Sequence, residues 1–171
     1  MIRPLGIDDI NAMVVLRSEA LADSPRAFSA SPERDVGQDP EFLRRTMSRP
    51  EVQVTFGAFE SDELVGTATV HRFEGSKERH KAVLWGMYVT SRARGRGHGR
   101  ALLEAAVEHA RASEGVTHLH LTVADSAVEA RRLYEGAGFV CWGTEPASLI
   151  VDGEAVDVDH LVLGVSGDPY L

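Results

Sequence analysis

The residues most suited to chemistry lie together in Thr90-Ser91-Arg92-Ala93-Arg94-Gly95-Arg96-Gly97-His98-Gly99-Arg100. The stretch follows an apolar run ending at Val89 and leads into a helical pattern. The first N–H groups of a helix have no internal acceptor and carry partial positive charge. Glycines allow close backbone approach and positive φ. Arg92, Arg94, Arg96 and Arg100 add formal charge. The combination is an anion site, and a pyrophosphate fits it. A Walker loop is excluded because Gly-Lys-Ser/Thr is absent. A dinucleotide fold needs Gly-x-Gly-x-x-Gly directly after a strand, whereas the spacing here is Gly-x-Gly-x-Gly after a longer loop. An arginine-glycine segment for nucleic acid would be interleaved with aromatics, and this one is not. A solvated basic turn remains the plain alternative.

Other reactive side chains are sparse. Cys141 is the only cysteine, so a disulfide framework or a Cys-x-x-Cys motif is impossible within the chain. It follows Phe139 and Val140 and reads as a small buried hydrophobe. His118 and His120 share one face of a strand, but no third ligand has diagnostic spacing, so no metal is expected.

The chain has 171 residues, with 43% hydrophobic and 26% charged, an ordinary globular mixture for one domain. The net charge of −8 argues against a nucleic-acid binder. No run approaches a membrane span, and Met1 to Leu5 does not resemble a signal peptide. The expectation is a cytoplasmic protein with neither nucleic acid nor membrane as partner.

Hydrophobic periodicity supplies the elements that must hold the loop. A strand is expected over 2–5, then a helix capped by Asp8 or Asp9 and ended by Ser24-Pro25. A polar loop runs to Gln38, and Asp39-Pro40 opens a short helix. Strands over 52–59, 64–73 and 82–89 form an antiparallel meander. A helix over 99–113 follows, then a strand over 118–123. Asp125 or Ser126 caps a helix to Ala137. A strand over 139–143 and a hairpin turning at Asp152-Gly153 complete the order β-α-α-β-β-β-α-β-α-β-β. The fold class is α/β (α+β): a mixed, mostly antiparallel central sheet flanked by helices.

Met87-Tyr88-Val89 followed by Arg94-x-x-Gly97-x-Gly99 and Ala101-Leu102-Leu103 resembles the acetyl-CoA signature of the GCN5-related N-acetyltransferase (GNAT) superfamily. Ala130-x-x-Leu133-Tyr134-x-x-x-Gly138-Phe139 resembles the family's later helix and strand. The element order agrees over nearly the whole chain. The resemblance implies a single GNAT domain over residues 1–168 that transfers acetyl from acetyl-CoA to a primary amine by direct attack in a ternary complex, without a metal. It implies that Met87, Tyr88 and Val89 hold the pantetheine arm, that Arg94, Gly95, Arg96, Gly97, His98, Gly99 and Arg100 hold the pyrophosphate, and that Tyr134 is the general acid. The acceptor, a small-molecule or peptide amine, would lie against the 24–38 loop, with Phe28 and Glu33 as contacts. A homodimer is expected.

The chain departs from the family at three places. Ser91 stands where proline is frequent. Ala127 stands where asparagine is frequent, so that pantetheine contact is missing or comes from Asp125 or Ser126. The strand ending at Val89 has no glutamate, the family's usual base. Glu33, Asp35, His71, Tyr88, His120, Asp159 and His160 stay open for that role, as does ordered water. The missing acid also leaves a second reading: an acyl-CoA-binding regulatory module without turnover.

Overall fold

A computed structural model describes residues 1–166; the expected domain end at 168 lies outside the described residues. The elements run β1 (Ile2–Pro4), α1 (Ile10–Asp23), α2 (Pro40–Met47), β2 (Gln53–Glu60), β3 (Glu63–Arg72), β4 (Lys81–Val89), α3 (His98–Ala112), β5 (His118–Ala124), α4 (Val128–Gly136), β6 (Val140–Val151) and β7 (Glu154–Gly164). The strands form one seven-stranded sheet in the order β1-β2-β3-β4-β5-β7-β6. Every neighbouring pair is antiparallel except β4 with β5.

Alternation along the strands divides the core between two faces. Ala68, Leu84, Leu119, Leu121 and Leu161 meet Leu102, Leu103 and Ala106 of α3. Phe59, Leu64 and Tyr88 meet Ile10, Met13 and Leu16 of α1 and Leu43 of α2. Leu102 and Leu119 are fully buried, and cutting either to alanine costs about 2–5 kcal/mol.

The caps differ in part from expectation. Asp39 accepts from Glu41 N–H at 2.9 Å and caps α2 as read. Asp9 instead accepts from Gly6 N–H and from Arg3, both at 2.8 Å, in the turn before α1. Neither Asp125 nor Ser126 caps α4; its N-cap is Ala127, with no side-chain bond.

Two irregularities shape the site. In β4 the pairs Thr67↔Tyr88 and Thr69↔Trp85 leave Gly86 and Met87 opposite Ala68 alone, which is a β-bulge. Gly86 has φ +62° there, a conformation other residues adopt at a cost. In β6 the register shifts between Glu145 and Leu149. Pro146 and Ala147 (φ +50°) occupy that shift, and Ala147 N–H donates to Asp157 at 2.8 Å. The expected separate segments 139–143 and 149–151 are therefore one strand. An interrupted edge strand tolerates proline at such a bulge.

Candidate active site

The parallel pair β4–β5 is joined only at Lys81↔His118, Ala82↔Leu119 and Val83↔His120. Beyond these residues β5 continues along β7 as far as Ala124↔Val158, while β4 stays on β3 as far as Val89↔Gly66. The two strands part, and the β4 edge from Leu84 onward has no strand partner on that side.

Two cavities open along this gap. One, of about 280 Å³, is lined by Phe28, Trp85, Gly86, Thr122, Glu145 and Leu149, among others. The other, of about 260 Å³, is lined by Val89, Arg94, Gly95, Gly99 and Leu133. Met87, Ala130 and Tyr134 line both. The gap is thus a passage with Tyr134 where its two halves meet.

The loop before α3 supplies the anion end. Gly95 (φ +75°) and Gly97 (φ +87°) are left-handed, which turns the backbone so that the amides from Gly95 to Arg100 have no acceptor among the described residues. Gly99 has no positive φ, and the space beside it takes a methyl but nothing much larger. A Cβ there would lie 3.5 Å from Leu133 Cδ2 and 3.8 Å from Met87 Cε.

The arginines of the loop are mostly engaged within the protein. Arg92 binds both oxygens of Glu63 at 2.7 and 2.6 Å. Arg96 and His98 share Glu60 at 2.9 and 2.6 Å. The His98 contact, with Arg96 beside it, holds the Glu60 carboxyl below the usual range. Arg94 donates to Val89 O at 2.9 Å and to Asp23. Among the described residues Arg100 has no carboxylate partner; it reaches a groove between α3 and α4 that also holds Arg111 and Arg132. Local carboxylates thus neutralise much of the formal charge, leaving the backbone amides and Arg100 as the chief anion-binding groups.

Tyr134 is buried, its ring edge-on to Phe139 at 6.0 Å. Burial pushes its phenol up to about 12. Its hydroxyl has no hydrogen-bond partner among the described residues, and it is not sealed from solvent. Asp159, buried on β7, accepts from Arg131 of α4 and from Thr144 at 2.5 Å. That contact anchors the helix carrying Tyr134.

The other predicted residues fall in different places. Phe28 lines the passage, with the Arg17 guanidinium 4.7 Å over its ring. Glu33 lines a separate surface hollow with Pro32 and Asp39. Asp35 is nearly buried and binds Arg17 through both oxygens, at 2.8 and 3.0 Å. Asp125 and Ser126 sit at the turn after β5, and Ala127 is the residue there that lines the passage. Tyr88 turns to the α1 face and donates to Glu19 at 3.0 Å. Burial first, and Glu19 second, raise its pKa above the ordinary phenol, so Tyr88 stays protonated. His71 stacks edge-on with Phe73. His120 stacks with His118, and its pKa is lowered mainly by burial. Among the described residues no three His, Cys, Asp or Glu side chains converge as a metal site, and no described helix is long and apolar enough to cross a membrane.

Sequence reasoning missed Glu145 and Glu19. Glu145 lines the passage and meets His160 Nε2 at 3.2 Å. Glu19 accepts from Tyr88 and Thr90. Neither lies in a motif; only the fold brings them to these positions.

Residues 16–139 match the model of the acetyltransferase (GNAT) family. The chain belongs to the GNAT acetyltransferase family. No curated protein matches it. Among solved structures it is similar to a GNAT-family acetyltransferase from Streptococcus pneumoniae, at 23% identity over 96% of this chain and 98% of that one, with a TM-score of 0.87. It is also similar to a ribosomal-protein-alanine N-acetyltransferase from Brucella melitensis, at 24% identity over 96% and 99%, TM-score 0.83. A third is a GNAT superfamily phosphinothricin acetyltransferase from Sinorhizobium meliloti, solved with acetyl-CoA, at 17% identity over 100% and 91%, TM-score 0.85. At these identities the likeness carries the fold. A GNAT acetyltransferase takes its acetyl group from acetyl-CoA. The free amides from Gly95 to Arg100 suit that co-substrate's pyrophosphate, and the unpaired β4 edge suits its amide-bearing arm.

Proposed function

We propose that this GNAT acetyltransferase, one domain over residues 1–168 and cytoplasmic, moves acetyl from acetyl-CoA to a primary amine by direct attack in a ternary complex. The observation that carries this reading is the parting of β4 from β5 after Val83 and His120, which makes one passage with Tyr134 at its middle. The thioester enters beside Met87 and Gly99, and the amine enters past Phe28 and Trp85. Asp125 and Ser126 flank the arm's path, and Glu33 stands farther out on the acceptor side.

The amine nitrogen attacks the thioester carbonyl, and the C–S bond breaks as the amide forms. The β4 edge at the bulge offers fixed backbone donors to the oxyanion, which need no reorganisation during the reaction. Glu145 is the carboxylate at hand for the amine's proton, directly or through water. Tyr134 faces the leaving sulfur. With its phenol at about 12, outright transfer to a thiolate (thiol pKa about 8.5) is uphill by roughly 5 kcal/mol. Its contribution is therefore a hydrogen bond that strengthens as charge builds on sulfur.

A homodimer through the open edge of β6 fits the exposure of Val140 and Trp142. The test of the activity is a broad amine screen with acetyl-CoA, following free thiol, alongside calorimetry of acetyl-CoA binding. Thiol release with at least one amine is expected. Tight binding with no turnover would assign the chain to acyl-CoA sensing instead, and no binding would remove both readings.

A further inference from the structure

The acceptor half of the passage has a polarity that composition does not suggest. In a chain of net charge −8, its ionisable lining is Arg17, Arg26, Glu145 and Tyr134. Two cations face one carboxylate.

Arg17 is held rigid. Its Nε and Nη2 are taken by Asp35 at 2.8 and 3.0 Å. The pair is largely buried, at 14% and 4% exposure, and the guanidinium lies 4.7 Å over the Phe28 ring. The third nitrogen, Nη1, has no acceptor among the described residues. It is also not among the polar atoms shut away from solvent.

Arg26 stands two residues before Phe28, in the short turn Pro25–Ala27. Its Nη1 holds Glu154 at 2.7 Å. That partner is 73% exposed, and such a pair is worth only about 0–1 kcal/mol. Arg26 Nε is buried with no partner, the one such side-chain atom among the described residues. An N–H of a charged group left in that state is unfavourable. A planar anion with two oxygens would relieve it by taking Nε and a terminal nitrogen together, once the side chain turns from Glu154 toward the cavity.

We infer that the acceptor is a small amine that also carries a carboxylate, a free amino acid or close analogue. Arg26 and the Nη1 of Arg17 receive its carboxylate, and its amine points toward Glu145 and Tyr134. A polyamine fits poorly, because its second charge would face the two arginines. A peptide N-terminus fits poorly as well, because the α-carboxyl of its first residue is an uncharged amide. The assignment rests on the acetyl-transfer reading of the same cleft, and its test is made separable from that reading.

The test measures binding of the standard amino acids and of their carboxamides to the protein saturated with coenzyme A, by calorimetry. No turnover is needed for it. At least one amino acid is expected to bind tenfold or more tightly than its carboxamide. That preference should fall to less than threefold in Arg26→Ala and be partly kept in Arg26→Lys, which retains the charge without the fork. Equal binding of acid and amide, no binding of either, or a preference unchanged in Arg26→Ala would overturn it. Thiol release is then followed for the same panel. Carboxylate-dependent binding without turnover would leave the anion site standing and remove the acetyl-transfer reading. Turnover of acids and amides at equal kcat/KM would do the reverse.

Discussion

Asp23, the last residue of α1, accepts a hydrogen bond from Arg94, the arginine that opens the Arg-x-x-Gly-x-Gly loop. The same guanidinium donates to Val89 O at 2.9 Å and lies 5.5 Å over the Tyr88 ring. One turn earlier Glu19 accepts from Tyr88 and Thr90. The end of α1 is thereby tied to the end of β4 and to the cofactor loop. Arg26 and Phe28 of the acceptor wall follow Asp23 within a few residues, so the two halves of the site share one brace.

Removing the charge of Asp23 should loosen that brace without unfolding the protein. Arg94 holds the Asp23 carboxyl below its usual range, and the pair is partly exposed, at 47% and 30%. Such pairs contribute about 0–1 kcal/mol. Asp23→Asn is expected to weaken acetyl-CoA binding two- to fivefold in calorimetry, with the far-UV spectrum unchanged. A loss above a hundredfold would mean that Asp23 does more than position Arg94.

Gly97 and Gly99 should respond differently to alanine. Gly97 has φ +87° with open space around it, so Gly97→Ala strains the backbone by about 1–2 kcal/mol. Gly99 is helical, and a methyl there meets Leu133 and Met87 at ordinary contact distance. Gly99→Ala should therefore raise the melting temperature slightly, since alanine favours a helix by about 0.5–1 kcal/mol, and keep cofactor affinity within twofold. Gly97→Ala should lower both. Gly99→Leu should abolish binding by filling the passage beside Met87.

The contrast marks what could be read in the sequence. Glycines before an amphipathic helix, the Met87-Tyr88-Val89 strand end and the Tyr134 helix are local patterns, and local patterns survive in sequence order. The pairing of the loop arginines with Glu60, Glu63 and Asp23 joins residues far apart in the chain, and no spacing encodes it. Glu145 is brought to the passage by a bulge in an edge strand whose Pro146 reads as a break. Asp35, one of the carboxylates open for the role of base, folds inward onto Arg17, a pairing that no local pattern announces. The charged and aromatic side chains that the 24–38 loop and α1 bring to the cavity are Arg26, Phe28 and Arg17.

His109 of α3 packs edge-on to Phe56 at 5.8 Å, and burial lowers its pKa below that of a free histidine, near 6.5. The unfolded chain thus takes up a proton near pH 6.5 that the folded protein accepts only at lower pH. Unfolding is favoured as pH falls through 6.5 toward the folded value, and the neutral-His stability is fully present above 6.5. His120 carries a shift of the same sign. Chemical denaturation should show stability falling between pH 7.5 and 5.5, and His109→Phe should flatten part of that slope. A pH-independent midpoint across this range would contradict it.

Tyr134→Phe separates the acid's chemistry from its packing. The hydroxyl has no partner among the described residues, so its loss should change stability by less than about 1 kcal/mol and leave acetyl-CoA affinity intact. Turnover should fall by about 10²–10³, the cost of losing one hydrogen-bond donor to the charge developing on sulfur. The pH profile of the native enzyme is the sharper measurement. kcat/KM should rise with pH as the acceptor amine loses its proton, near 8 for a peptide α-amino group and higher for a free amino acid, whose own carboxylate favours the ammonium. Because the phenol is pushed up to about 12, it remains protonated across the accessible range and imposes no descending limb below pH 10. A descending limb between pH 8 and 10 that disappears in Tyr134→Phe would mean that Tyr134 ionises there. In that case bound substrates, by supplying charge or hydrogen bonds to the phenolate, must offset the burial that raises its pKa in the free protein.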